Sequence, residues 1–458
     1  MSSVVTTPLK PNRRVRWGRR CGQIAMVAVL TGAGVACSED GGSGESGVAA
    51  APSTLPSTMN AARLLPVPLT TAPGTDAGSA AGHSLNLPQG WNVRVWANVP
   101  EARMAAWTSD GKLVVSTGQN GSLVLLSPNG PDQAPTTTTL LDGLDNPQGI
   151  AFTDDNGREL MIVGESGRIV SWDYRDGALS NRRVVIDGLP DDGNHPAKMV
   201  AVRDGTIAYN VGSATNRDPV DRTSNPQRAT IAEVAQDGTG NRTLAVGVRN
   251  GEGLSFAPDG TLFTAVNQGD NQPYPFRDDQ GDYGRVVRSY VNENPVEQVS
   301  RIGPGTDLGW PYCVPNSGGT AELLDIGYVN DPINNPDGDR LDCNSIGRTM
   351  LGLPAHSAPI GFVFTQGSAL PESLSGGALI TAHGSWNRQP PREPYVAYSR
   401  WDDATRSLTT PTVLVTGFQN ADGSRWGRSV DAVPGPDGSI YVTDDTAGLV
   451  YRLTPPAE

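Results

Sequence analysis

From about residue 88 onward, short apolar runs alternate with polar positions and are punctuated by glycine turns. One unit recurs: a short apolar strand, a tight turn with glycine, then a second strand of alternating residues. Copies begin at Ser109-Asp110-Gly111-Lys112-Leu113, Asp155-Asn156-Gly157-Arg158-Glu159-Leu160, Arg203-Asp204-Gly205-Thr206-Ile207, Pro258-Asp259-Gly260-Thr261-Leu262, Ser375-Gly376-Gly377-Ala378-Leu379 and Pro436-Asp437-Gly438-Ser439-Ile440. Asp-Gly and Asn-Gly supply the positive φ angles that a two-residue hairpin turn demands. Successive copies start 46, 48, 55, 117 and 61 residues apart, and the long interval holds a loop-rich insertion at about 303–355. This spacing predicts an all-β chain folded as a six-bladed β-propeller, with four-stranded blades around a central channel. A sandwich lacks the longer period, and a parallel α/β fold needs amphipathic helices between strands, which the pattern does not contain.

The chain of 458 residues carries 55 Gly and 37 Pro, and its net charge is −13. The first 36 residues hold six Lys/Arg and no Asp/Glu, so the remainder has 29 basic against 48 acidic residues, a net of −19. Such a surface repels phosphate backbones and excludes nucleic acid as a partner class. Basic residues Arg13, Arg14, Arg16, Arg19 and Arg20 precede an apolar run from Ile24 to Val35. Residues 1–36 therefore read as a signal peptide, the run being short of the ~20 residues that span a bilayer. Gly34-Val35-Ala36-Cys37 resembles a lipobox, which makes Cys37 the lipidation site of an exported cell-envelope lipoprotein or periplasmic or extracellular protein. Residues 37–86, rich in Gly, Ser, Ala and Pro, are expected to form a flexible tether, and residues 87–456 the propeller. Cys313 and Cys343 remain in the exported chain and most simply form one disulfide; a zinc pair or a reactive thiol is the lesser alternative.

Five polar motifs stand just before, or at the far end of, these hairpins, so they are expected to share one mouth of the channel. The first is Asp191-Asp192-Gly193-Asn194-His195, a narrow loop suited to a positioned general base. Gly247-Val248-Arg249-Asn250-Gly251-Glu252 offers a guanidinium that can fork onto a carboxylate. His356-Ser357-Ala358-Pro359 is the third, His383-Gly384-Ser385-Trp386-Asn387-Arg388 the fourth, and Trp426-Gly427-Arg428-Ser429-Val430-Asp431 with Asp444-Asp445 the fifth. Taken singly, each is equally a solvated turn.

With Pro304-Gly305 and Gly309-Trp310-Pro311-Tyr312-Cys313, these motifs occur in the order found in the soluble quinoprotein sugar dehydrogenases. The chain resembles the L-sorbosone dehydrogenase and pyranose dehydrogenase-like branch of that family over about 88–453. The resemblance implies a propeller that holds pyrroloquinoline quinone (PQQ) and a calcium ion at its channel mouth. His195 would be the base, and Arg103, Arg249, Asn250, His356, Trp386, Arg388 and Arg428 would bind the planar tricarboxylate cofactor. Calcium would act as a Lewis acid near Gln268 and Gly269. Four stretches depart from the family pattern: Glu252 puts a carboxylate where a glutamine is usual, Val266-Asn267-Gln268-Gly269 replaces a Glu-Asn-Gly sequence, Ser116-Thr117 stands where an acidic residue is usual, and Asp307-Leu308-Gly309-Trp310-Pro311 replaces Asn-Tyr-Gly-Trp-Pro.

The expected activity is oxidation of an aldose-like sugar or sugar aldehyde, with electrons passed to an external acceptor because no Cys-x-x-Cys-His haem motif is present. Any membrane contact would be through the lipid anchor alone. A non-catalytic propeller that binds carbohydrate or protein is the alternative. A calcium-dependent lactonase, which needs Glu165, Asp270 and Asp431 to point into the channel, is a third.

Overall fold

A computed structural model describes residues 60–61, 63–318 and 323–456; the expected signal peptide and Cys37 lie outside the described residues. The alternating runs pair antiparallel within six blade sheets, three of which add a short parallel edge strand, and a seventh, two-stranded sheet completes the described strands. Blade one is Ala105–Trp107, Leu113–Ser116, Leu123–Ser127 and Thr136–Leu141, and blade two is Ile150–Asp154, Glu159–Glu165, Arg168–Arg175 and Ala178–Asp187. Blade three comprises Val200–Arg203, Thr206–Val211, Thr230–Ala235 and Arg242–Val246; blade four comprises Gly253–Phe256, Leu262–Val266, Glu297–Ile302 and Thr349–Leu353. Blade five is Pro359–Phe364, Gly377–Ala382, Tyr395–Asp402 and Thr412–Val415. Blade six takes Ser429–Pro434, Ile440–Asp444 and Leu449–Thr454 from the C-terminal end, and its fourth strand is Asn92–Asn98. That pairing closes the ring without leaving a sheet edge open at the seam.

Strand periodicity explains the core. Met161 and Val163 of blade two meet Val114 and Leu123 of blade one, while the intervening Ile162 meets Ile207 and Tyr209 of blade three. Successive side chains point to opposite faces, so each inner strand feeds two interblade cores. The recurring turns are the hairpins between first and second strands; Asp204 (φ 48°) and Gly205 (φ 76°) join the paired residues Arg203 and Thr206.

Two boundaries differ from expectation. The tether does not run to residue 86: Leu64–Pro68 pairs with Ser84–Pro88, and Leu85 and Leu87 are buried in the core beside blades five and six. Their alternating leucines give this otherwise polar stretch enough apolar surface to pack. The long interval is also split, with residues 267–296 inserted between the second and third strands of blade four and 303–348 between the third and fourth. Thr349–Leu353, expected within the insertion, is a blade strand. The Cys313–Cys343 disulfide is formed, with Cα atoms 5.6 Å apart, and staples the second insertion. Among the described residues, no helix is long and apolar enough to cross a membrane.

Candidate active site

In an antiparallel blade, the segment entering strand one and the turn leaving strand two lie at the same end. The chain places its chemistry there. Arg103, His195, Arg249 to Glu252, His356 to Ala358 and Arg428 precede the first strands of blades one, three, four, five and six. Asn267 to Asp270, His383 to Trp386 and Asp445 follow the second strands of blades four, five and six. Arg103, His195, Arg249, Asn250, Glu252, Asn267, Gln268, Asp270, Glu297, His356, His383, Trp386 and Arg428 line one cleft of about 260 Å³.

His195 is held by its inner nitrogen. Nδ1 lies 2.8 Å from the Ser213 carbonyl oxygen and 3.0 Å from Ser213 Oγ, which itself donates to the Thr215 carbonyl at 2.7 Å. A carbonyl only accepts, so Nδ1 carries the proton and Nε2 keeps its lone pair. Burial, reinforced by the Arg249 guanidinium, lowers this imidazole to about 4. It is therefore a neutral base across the neutral pH range. Gly212 permits the arrangement: a Cβ there would stand 2.6 Å from His195 Cβ.

Two sides of the cleft each carry arginine paired with an acidic partner. On one, Arg103 donates to Gln148 Oε1 (3.0 Å) and pairs with Asp445 (2.8 Å), while Arg428 donates through Nε to the His383 carbonyl at 3.0 Å. His383 Nε2 lies 3.0 Å from both Asp445 oxygens. Burial tends to raise the Asp445 carboxyl, but His383 and Arg103 outweigh it and hold the group well below the usual carboxylate range.

On the other wall, Arg249 is buried and donates to Asn216 and to the Asn267 carbonyl, with Asp270 at 3.6 Å. Glu297 accepts from the backbone amides of Gln268 (2.6 Å) and Ala358 (3.3 Å), and burial pushes it up to about 7. Burial also raises Glu252 and Asp270. Burial thus works against the charged form of each of these acids, while the neighbouring Arg249 works for it. His356 (φ 60°) and Ala358 (φ 52°) adopt left-handed backbone, a strained arrangement at the cleft wall.

The structure brings together most of the residues singled out from sequence. Arg388 is the exception: its guanidinium pairs with Glu293 at 2.7 Å and donates to the Asn292 and Pro390 carbonyls, outside the cleft lining. Gly269 likewise lies against Asn216 and Arg217 and does not line the cleft, although Gln268 does. His356 lines it with Nε2 committed to the Val291 carbonyl at 2.6 Å. Of the three acids expected under the hydrolytic reading, only Asp270 lines the cleft. Glu165 pairs with Arg168, and Asp431 accepts from the Ala105 and Ala432 amides. Glu297 stands in none of the sequence motifs, whereas His383 and Asp445 stand in the fourth and fifth, where nothing signals their pairing. Glu297 opens an ordinary-looking strand, and only the blade geometry brings Asp445 to His383.

Orphaned groups mark the cleft as built for a ligand. Asn250 Oδ1 and Asn267 Oδ1 are buried without a protein hydrogen-bond partner, and Trp386 is 73% exposed. Three guanidinium groups and a free indole face suit a flat polyanion. Among the described residues, no three His, Cys, Asp or Glu converge to hold a metal ion.

Fold and cleft together define a six-bladed propeller with one axial mouth suited to a polar anionic ligand. Comparison with known proteins places it further. The chain belongs to the TrAA12-like family, which matches residues 85–455. It is 27% identical over 340 residues to a pyrroloquinoline quinone-dependent pyranose dehydrogenase of Coprinopsis cinerea, covering 64% of this chain and 44% of that protein. An uncharacterized protein of Borreliella burgdorferi is 23% identical over 396 residues, covering 83% of this chain and 93% of its own length. In structure, the chain is similar to the holo PQQ domain of the Coprinopsis cinerea pyranose dehydrogenase (TM-score 0.70, 23% identity, 84% of this chain, all of that one). It is also similar to a calcium structure of a Trichoderma reesei family AA12 carbohydrate-active enzyme (0.69, 18%, 84% and 100%). These structural likenesses bear on the fold.

Proposed function

We propose that this protein is an exported quinone-dependent oxidoreductase that oxidises an aldose-like sugar. The convergence of His195, with its Nε2 lone pair unpartnered, and the guanidinium groups of Arg103, Arg249 and Arg428 on one cleft carries this reading. PQQ, when bound, supplies a two-electron acceptor. Arg103 and Arg428 on one wall and Arg249 on the other would meet its carboxylates, Trp386 would cover a ring face, and Asn250 would satisfy its orphaned oxygen. His195 Nε2 would take the proton from the sugar hydroxyl being oxidised, as Ser213 holds Nδ1–H and fixes the ring. Electrons would leave to an external acceptor.

The adjoining cleft shares Arg103, His195, Glu252 and Arg428 and adds Asn146, Gln148 and Asn194. Such neutral amides suit a polyhydroxylated substrate. Calcium is proposed from the resemblance only: among the described residues no three His, Cys, Asp or Glu converge to hold it, and no step is assigned to it. Export is supported by the Cys313–Cys343 disulfide, which persists in oxidising compartments.

The test adds PQQ, with and without calcium, to purified protein and follows cofactor absorbance and sugar-dependent dye reduction. His195→Ala should abolish turnover and leave cofactor uptake nearly intact. Equal loss of both, or turnover that survives, would overturn the role given to His195.

A further inference from the structure

Lys198 is a buried cation at the back of the loop that carries His195. Its side chain is fully buried, and its ammonium donates to the Pro190 carbonyl (2.8 Å) and the Pro196 carbonyl (2.6 Å). Those two carbonyls bracket His195: one ends the approach to the loop and the other immediately follows the histidine. The rest of the loop is tied as well. Asn194 N–H donates to the Ala214 carbonyl, and Arg228 donates to the Asp192 carbonyl and pairs with its carboxylate. Blade two makes room for the lysine: a Cβ on Gly164 would stand 2.2 Å from the Lys198 carbonyl oxygen.

A buried ammonium is costly, and an apolar side chain of the same length fills such a volume with less penalty. What methionine cannot do is bind two carbonyls at once and fix the span between them. We propose that Lys198 is a positioning residue that clamps the loop 190–196 and so sets the orientation of the His195 imidazole. This rests on the reading of His195 as the base. The charged groups around the ammonium are Arg228, Asp191 and Asp145. Burial, with Arg228 adding, lowers it to about 8, so the clamp loses its charge in mildly alkaline solution.

The test compares Lys198→Met and Lys198→Arg with the wild type. In protein without cofactor, Lys198→Met should speed amide hydrogen exchange across residues 190–197 and leave blade strands unchanged. In the PQQ-loaded enzyme it should lower kcat by roughly 10- to 100-fold, the scale of a ~1 Å misplacement, with little change in KM. Lys198→Arg keeps a cation that does not titrate, so it should recover part of the turnover and remove the wild-type fall in rate above about pH 8. If Lys198→Met fails to fold, the alkaline limb of Lys198→Arg still decides. Unchanged exchange in the loop, or an alkaline limb identical in wild type and Lys198→Arg, overturns the clamp. If His195→Ala retains turnover, the base assignment falls and the clamp with it; if His195→Ala is dead and Lys198→Met fully active, only the clamp falls.

Discussion

Gly212→Ala isolates how finely the His195 imidazole must be placed. Gly212 follows the second strand of blade three, and an added Cβ would lie 2.6 Å from His195 Cβ, 2.7 Å from its carbonyl oxygen and 3.1 Å from Asn250 Oδ1. Ordinary van der Waals contact starts at 3.4 Å, so the histidine must retreat by about 0.8 Å. The backbone dihedrals at Gly212 are open to alanine, so the effect is contact and not conformation. Overpacking of this kind costs about 1–3 kcal/mol of stability. A shift near 1 Å in a proton-accepting atom costs on the order of 10²-fold in rate. Stopped-flow dye reduction with PQQ-loaded enzyme should therefore show kcat down by roughly 30- to 100-fold, with cofactor affinity nearly unchanged. Gly303→Ala, where a Cβ meets nothing within 4 Å, is the control. A Gly212→Ala enzyme with a lowered melting temperature but full kcat would refute the claim that His195 needs this position.

Three further outcomes are expected. Because the folded-state value of His195 lies below its ordinary 6.5, the imidazole stays neutral as pH falls and gains its proton only near 4. The base should hold its lone pair down to about pH 4–5, and Arg249→Met should raise the His195 midpoint in an NMR titration of the apoprotein towards 6.5 without reaching it. Arg428→Ala should weaken PQQ binding by roughly 10- to 100-fold, the scale of a lost charge-assisted hydrogen bond, as read by fluorescence quenching. Arg388→Ala should leave it unchanged, because that guanidinium is committed to Glu293; a matching loss would return Arg388 to the cleft. Cys313→Ser with Cys343→Ser should cost about 3–4 kcal/mol, from opening a covalent loop across a 30-residue separation, as measured by chemical denaturation.

Turn chemistry and strand alternation depend on neighbours in sequence, which is why the six hairpins and the propeller could be read from residues alone. The antiparallel rule then put His195, Arg249, His356 and Arg428 on one face before any coordinates. The same locality explains what went unread. Arg388 shares a hexapeptide with Trp386, yet the segment around Glu293 captures its guanidinium, and nothing near Arg388 in the chain announces that partner.

The amino-acid pattern by itself determined the number of blades, the mouth at which polar loops gather, and the cysteine pair able to close. Tertiary structure decided how each buried charge is held: Glu297 against two backbone amides, Asp445 between His383 and Arg103, Lys198 beneath the His195 loop. Those settings depend on burial and on contacts between blades far apart in sequence. A side chain's proton affinity and reach are properties of its surroundings, and these exist only once the ring has closed.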